Sequence, residues 1–453
     1  MRFFLVLAVA WPAIAQPQLA RDIFKELIEI NTTDSAGDNT RAAEAVAARF
    51  RAAGFPARDI HVLAPAPRKG NVIVRYRGSG EAHGILFLGH LDVVEARRAD
   101  WSFDPFQFRE QDGYFYGRGA QDMKADDAIL VTNFIRLKRE GFRPARDLIL
   151  ALTADEEGGG FNGVTWLLEN HRELINASYS INSDAGGGAI RNGRRQYMAL
   201  EAAEKTYQSF RLEVTNRGGH SSLPRKDNAI YQLAEGLARL AKYDFPVRLN
   251  EVTRSYFEQM ASIEHGQTAA DMRAMVRNPH DIEAGGRLST SPSYNAQLRT
   301  TCVATMLSGG HAENALPQIA AATVNCRLSP DDTPAQVEAT LNEVLADPEI
   351  KVTPITRAIV SPVSPLNPRV LAAVTAATTA MWRGVPVLQF MEAGATDGRA
   401  LRNAGINTYG VSGVFLDQND IRAHGRDERI PVKSFDEALD FMYRVIKTLG
   451  KEE

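Results

Sequence analysis

The chain has 453 residues, 44% of them hydrophobic, and a formal net charge of −3. That length suggests two or three folding units. Acidic and basic side chains are interspersed, which leaves no basic face for nucleic acid and no signal for an anionic membrane surface.

The first residues read unlike the rest. Arg2 precedes the apolar run Phe3 to Trp11, and Ala13-Ile14-Ala15 then offers small residues to a signal peptidase. The expectation is a signal peptide over residues 1–15, cleaved after Ala15 to give a secreted or periplasmic chain. The alternative is a buried first helix; the run is too short to span a membrane. No later stretch approaches ~20 apolar residues, so no membrane partner is expected after processing. Cys302 and Cys326 are the only cysteines. They are too few for a cysteine zinc site, and both a disulfide and two separate buried thiols stay open.

Leu19 to Ile30 and Thr40 to Ala53 place apolar residues at helical spacing, the second stopped by Gly54. Short apolar runs follow at Val72 to Val74, Ile85 to Leu88, Leu148 to Leu152 and Tyr179 to Ile181. Helix-like stretches, Lys124 to Glu140 and Val164 to Asn170, lie between the last three. Strand, helix, strand predicts a mostly parallel sheet covered on both faces, an α/β fold. Near residue 200 the style changes. Tyr207 to Val214 alternates like a half-exposed strand, and Asn228 to Tyr243 is an amphipathic helix. Thr300 to Met306 and Ala320 to Leu328 read as strands, and Pro334 to Leu345 as a helix. These elements predict a small α+β domain over 200–358, inserted between two parts of a catalytic domain at 16–199 and 359–453. The α/β style returns near Pro362 and ends in a helix from Ser434 to Leu449. Residues 248–298 are polar and poorly patterned and receive no assignment.

In open parallel sheets ligands bind beyond the carboxyl ends of the strands, so the residues after each apolar run carry the chemistry. His90 and Asp92 follow the run at 85–88, Asp155-Glu156-Glu157 the run at 148–152, and Asp184 the run at 179–181. Converging carboxylates repel one another without a cation, so three such strand ends in succession point to a metal site. Gly117 to Lys124 is a glycine-rich loop opening a helix; it carries neither GxGxxG nor GxxxxGK[ST], which makes phosphate binding a poor reading. His424 alone would be an ordinary surface histidine, but it sits in His-Gly-Arg-Asp-Glu-Arg after the strand-like Asn407 to Val411.

The stretches GHLDVV, GYFYGRGAQDMK, ADEE, GGHSSLP, GGHAENALP and HGRDERIP together resemble the co-catalytic zinc exopeptidase family, in family order and over nearly the whole chain. That family includes aminoacylases, carboxypeptidases of the glutamate and Gly-X type, and succinyl-diaminopimelate desuccinylase. The resemblance implies two zinc ions, with manganese or cobalt as substitutes in vitro. His90, Asp122 and Asp184 would hold one ion, and Asp122, Glu157 and His424 the other, with Asp122 shared. Asp92 would orient the His90 ring, and Glu156 would be the general base acting on water shared by the metals. His220, in the inserted domain, resembles the family's lid histidine, which stabilises the tetrahedral intermediate. In dimeric members it reaches in from the partner subunit, so a homodimer through that domain is among the expectations. Asn314 and Arg327 match lid positions that contact substrate, Arg327 being suited to a carboxylate. Gly394 and Thr396 lie in a stretch resembling a substrate-binding loop, though a plain glycine turn reads nearly as well. One departure is Asp126-Asp127 after Lys124, where the family has small glycines; the acids suit a helix N-terminus or a modified substrate pocket. The implied activity is hydrolysis of an amide in small peptides with a free C-terminus, or in N-acyl amino acids. A non-catalytic binding module on the same fold would be expected to lose ligands or the base, and here every such position is filled.

Overall fold

The computed structural model describes residues 15–80 and 83–451. The expected signal peptide lies outside the described residues, apart from Ala15, where the first helix (Ala15–Glu29) begins. Among the described residues no helix is long and apolar enough to cross a membrane. The chain divides into two compact units. The first comprises residues up to Glu201, Ser364–Val387 and Thr396 onward; the second comprises Ala202–Val363 and Leu388–Ala395. The short return of Leu388–Ala395 to the second unit has no counterpart in the sequence pattern.

A central mixed sheet organises the first unit. Its strands run in the order Ile60–Leu63, Asn71–Tyr76, Leu148–Thr153, Ile85–His90, Tyr179–Asn182 and Thr408–Gly410 before reaching the hairpin of Gly187–Arg191 and Arg194–Glu204. The four strands Leu148–Thr153, Ile85–His90, Tyr179–Asn182 and Thr408–Gly410 are mutually parallel. Every residue of the two central ones, Leu148–Thr153 and Ile85–His90, is buried. This is why both read as continuous apolar runs rather than alternating ones. Leu86, Leu88, Ile149 and Ala151 pack against Val164, Leu167 and Leu401 on one face. On the other, Phe87 meets Phe134 of the helix Lys124–Arg139 edge to face at 5.6 Å. That helix is buried along nearly its whole length, so its sequence lacks a polar stripe.

The second unit holds an antiparallel four-stranded sheet in the order Thr301–Gly309, Ile319–Leu328, Thr206–Thr215, Lys351–Pro354. Phe210, Leu212, Val324 and Leu328 form its core with Leu233 of the helix Ala229–Leu240 and Leu341 of the helix Pro334–Leu345. A capping box between Thr333 and Gln336, with Pro334 in the first turn, starts the latter. The register sets Cys302 opposite Cys326, and the two form a disulfide. Residues 248–298, unassigned from sequence, are helical: Glu251–Ile263, Gly266–Arg277, Ile282–Leu288 and Pro292–Leu298.

Candidate metal centre

Because three neighbouring strands are parallel, their carboxyl ends deliver side chains to one rim. His90 ends the strand Ile85–His90, Glu156 and Glu157 follow Leu148–Thr153, and Asp184 follows Tyr179–Asn182. Asp155 turns the chain there with φ +59, its carboxylate held by Lys69 Nζ at 2.6 Å. Asp122 arrives from the glycine-rich loop and His424 from the far end of the chain, its backbone also left-handed at φ +61.

Asp122 sits between the two histidines. Its Oδ1 lies 3.1 Å from His90 Nε2 and its Oδ2 3.1 Å from His424 Nε2. His90 Nε2 is also 3.4 Å from Asp184 Oδ1, and His424 Nε2 is 2.9 Å from Glu157 Oε1. Ligand atoms of His90, Glu156 and Asp184 lie within 4.8 Å of one another, as do those of His90, Asp122 and Glu157. Glu156 therefore faces the same space as the expected ligands.

The arrangement demands positive charge. Burial, then Asp184, pushes the Glu156 carboxyl well above its ordinary range, and burial pushes Asp184 up to about 7. Burial would raise Asp122 as well, but hydrogen bonds from His424 and His90 hold it low. Burial disfavours a charged His90, yet Asp184 and Asp122 outweigh it and raise the ring well above its usual value. The carboxylates of Asp122 and Glu157 lift His424 to about 10.

Divalent cations fit this donor set. His90 Nδ1 lies 3.0 Å from the main-chain carbonyl of Asp92, an atom that can only accept, so Nδ1 carries the proton. In the metal-free chain a proton on Nε2 joins the ring to the carboxylates of Asp122 and Asp184. In the neutral ring Nε2 turns a lone pair to the same place, where a cation would take the position of that proton. Tetrahedral bonds of about 2.0–2.1 Å put neighbouring donors about 3.3 Å apart. The four separations above run from 2.9 to 3.4 Å.

Asp92 differs from expectation in one respect. Its carbonyl orients the His90 ring, while its Oδ1 is 3.6 Å from Nδ1. The carboxylate instead accepts from the main-chain amides of Glu156, at 3.1 Å, and Glu157, at 2.9 Å. Two fixed amide donors thus tie one strand end to the next, while burial lifts the Asp92 carboxyl to about 7. Asp126 and Asp127 are both buried at the start of their helix. Asp126 accepts from Ser412 Oγ at 2.9 Å.

The proposed substrate residues are distributed unequally. Thr396 is buried, its Oγ1 accepting from Asn182 Nδ2 at 3.1 Å and from the Gly398 amide at 3.0 Å, which commits the hydroxyl to the loop's own structure. Neighbouring Asp397, to which sequence reading gave no role, accepts from Thr153 Oγ1 at 3.1 Å and Asn162 Nδ2 at 2.5 Å. Its mark in the sequence was its place in the stretch Gly394 to Gly398, which resembles a substrate-binding loop. Gly394, His220, Asn314 and Arg327 belong to the second unit. The Gly394 amide donates to Glu392 Oε1 at 3.1 Å, and the Arg327 guanidinium lies over the Tyr207 ring at 4.8 Å. His220 and Asn314 meet on one small ladder, where the strand Gly219–His220 pairs with Ala315–Leu316 and the Ser221 amide donates to the Asn314 carbonyl. His220 is exposed, and its Nδ1 accepts from the Ser222 amide at 3.1 Å, leaving the ring proton on Nε2.

The model of the Peptidase family M20/M25/M40 matches residues 86–448. Among curated relatives, "Probable carboxypeptidase S-like 2" of Dictyostelium discoideum is 28% identical, covering 84% of this chain and 75% of its own. "N-fatty-acyl-amino acid synthase/hydrolase PM20D1" of Xenopus tropicalis is 27% identical over 82% of this chain and 74% of its own. The crystal structure of the M20 family metallo-carboxypeptidase Sso-CP2 from Sulfolobus solfataricus superposes with a TM-score of 0.70 at 17% identity, covering 95% of this chain and 99% of that one. With the strand-end acids and histidines gathered as they are, the chain belongs to Peptidase family M20/M25/M40 and is a metal-dependent hydrolase of its peptidase and amidohydrolase kind.

Proposed function

We propose that this chain is a secreted or periplasmic di-zinc hydrolase that cleaves the amide bond of small peptides with a free C-terminus. The observation that carries the reading is Asp122, one carboxylate oxygen on His90 and the other on His424 at the same 3.1 Å. A shared carboxylate of this kind fits a pair of ions, His90 and Asp184 completing one side, Glu157 and His424 the other. Nitrogen and carboxylate donors suit zinc, with manganese or cobalt as substitutes.

When bound, the ions would polarise the scissile carbonyl and lower the pKa of water. Glu156 takes the proton from that water at its carboxylate and returns it to the departing nitrogen. Burial, then the neighbouring Asp184, lifts the Glu156 carboxyl well above its ordinary range, so that it holds a proton more readily than an exposed glutamate. Asp92 keeps the base in place through the amides of Glu156 and Glu157. His220, whose Nε2 bears the proton, is the donor we assign to the oxyanion. Arg327 and Asn314 take the substrate carboxylate and its neighbouring atoms, and Gly394 belongs to a further loop that serves the substrate. Thr396 serves this loop from within.

Secretion rests on the apolar run before Ala15 and on the Cys302–Cys326 disulfide, which belongs in an oxidising compartment. The second unit carries His220, Asn314 and Arg327. Its edge strand Thr301–Gly309 exposes Val303, Met306 and Leu307, a surface suited to a second copy of this chain. A second reading, hydrolysis of N-acyl amino acids, is favoured by the likeness to the fatty-acyl amino acid enzyme. Both reactions break an amide beside a carboxylate. A panel of dipeptides against N-acetyl and long-chain N-acyl amino acids, run on protein of known zinc content, separates them. Turnover of acyl amino acids alone would reverse the order, and no zinc with no turnover would end both.

A further inference from the structure

Two segments far apart in sequence carry the shared carboxylate and its second histidine, and each reaches across to hold the other's main chain. Glu428 is fully buried. Its Oε2 accepts from Arg118 Nη1 at 2.6 Å and from the Gly119 amide at 3.0 Å. Its Oε1 accepts from the Gln121 amide at 2.6 Å and from the amide of Asp122 itself at 3.1 Å. In return, Gln121 Oε1 accepts from the amides of Arg422 at 2.7 Å and Ala423 at 2.9 Å. Its Nε2 donates to the carbonyls of Arg429 at 2.8 Å and Asp420 at 3.3 Å. Arg118 Nη2 closes the set on the Gly425 carbonyl at 2.9 Å. His424 is therefore pinned on both sides, at the Ala423 amide and at the Gly425 carbonyl.

We propose that Glu428 and Gln121 are positioning residues for the metal pair: a reciprocal clasp that sets His424 against Asp122 and so fixes the affinity of the ion those two share with Glu157. The inference rests on the two-metal reading above. Its physical basis is an asymmetry in how the two halves of the centre are supported. His90 ends a strand and is itself paired in the ladder opposite Thr153, and Asp184 lies two residues beyond the strand Tyr179–Asn182. His424 follows no ladder into place; it sits in a loop with φ +61, and its side chain is 55% exposed. Without an external template such a loop samples other positions, and each one separates His424 Nε2 from Asp122 Oδ2. The Glu428 carboxylate supplies the template with four acceptor contacts in a buried place, where each bond to a charged group is strong. Gln121 suits the return role because it must accept two amides and donate to two carbonyls at once, which only a side-chain amide does.

The test uses the full mature chain loaded with zinc, read by elemental analysis after dialysis against graded chelator, with thermal unfolding of the metal-free protein alongside. Glu428→Gln keeps the shape but turns a donor towards one of two donor pairs, Arg118 with the Gly119 amide or the amides of Gln121 and Asp122. Gln121→Met keeps the length and removes all four bonds. Partners that support metal ligands typically contribute 10–100-fold to affinity. We expect both variants to release one ion at about 10–100-fold lower chelator than wild type, while the other ion is held as in wild type. Were Glu428→Gln to fail to fold, Gln121→Met would carry the test alone. Retention of both ions at wild-type affinity overturns the clasp, as does parallel loss of both. A wild-type chain that takes up a single ion overturns the two-metal reading, and the clasp with it; two ions in wild type with two equally tight ions in the variants overturn the clasp alone.

Discussion

Asp122 and His424 stand 3.1 Å apart, Oδ2 to Nε2, although one lies in the first third of the chain and the other near its end. Since Asp122 turns its second oxygen to His90, it is the residue on which a binuclear centre depends. Asp122→Ala should therefore lose both ions together. Elemental analysis of the purified variant checks this, and two zinc ions per chain would disprove the shared role.

Glu156 and Glu157 are adjacent, yet only Glu157 touches a histidine at hydrogen-bond distance. Glu156→Gln should retain its metal and lose kcat by about 10²–10⁴-fold, the usual contribution of a general base. Metal content and single-turnover rate decide the matter; a variant short of metal, or one with near-normal turnover, rules out Glu156 as the base.

His220→Ala should fold and bind both ions as wild type does, and lose kcat by about 10²–10³-fold, in line with the loss of one oxyanion donor. Its exposed ring and its protonated Nε2 motivate the prediction. Mixing His220→Ala chains with Glu156→Gln chains extends it: recovered activity means that a partner subunit supplies the histidine. Wild-type turnover by His220→Ala removes the residue from the mechanism.

Burial pushes the Asp126 carboxyl from 3.8 to about 8, against the opposing hydrogen bond from Ser412. Because the folded value is raised, the unfolded chain gives up its proton first as pH climbs. Stability due to this group is complete below about pH 4 and declines until about pH 8. Metal-free wild type should therefore lose Tm across that window, and Asp126→Asn should flatten the loss by at least about 2 °C. Equal slopes for the two proteins would show that Asp126 ionises normally.

The residues at the rim of the sheet are legible in the sequence because parallel strands buried on both faces must be apolar throughout. The first polar residues after each run, His90, Glu156 with Glu157, and Asp184, therefore stand out. Asp122 and His424 stand out for a different reason, the resemblance of the stretches GYFYGRGAQDMK and HGRDERIP to the co-catalytic zinc exopeptidase family. Other features carry no such mark. Four helices fill residues 248–298, two of them only seven residues long, too short for their periodicity to emerge from a polar stretch. The pairing of Cys302 with Cys326 depends on strand register, which nothing local to either cysteine encodes. The same holds for Thr396, whose hydroxyl is held inside its loop by Asn182, and for the Asp92 carboxylate, given to two amides rather than to the His90 ring.

What the sequence by itself determined is the set of donor types and the sheet that collects them, since both follow from side-chain polarity and its period. What only the tertiary structure decided is which atom faces which: His424 against Asp122, and Glu428 beneath the loop that carries Asp122. Those relations join residues about 300 positions apart in the chain. They depend on hydrogen-bond directions that become defined only once the backbone has closed around them.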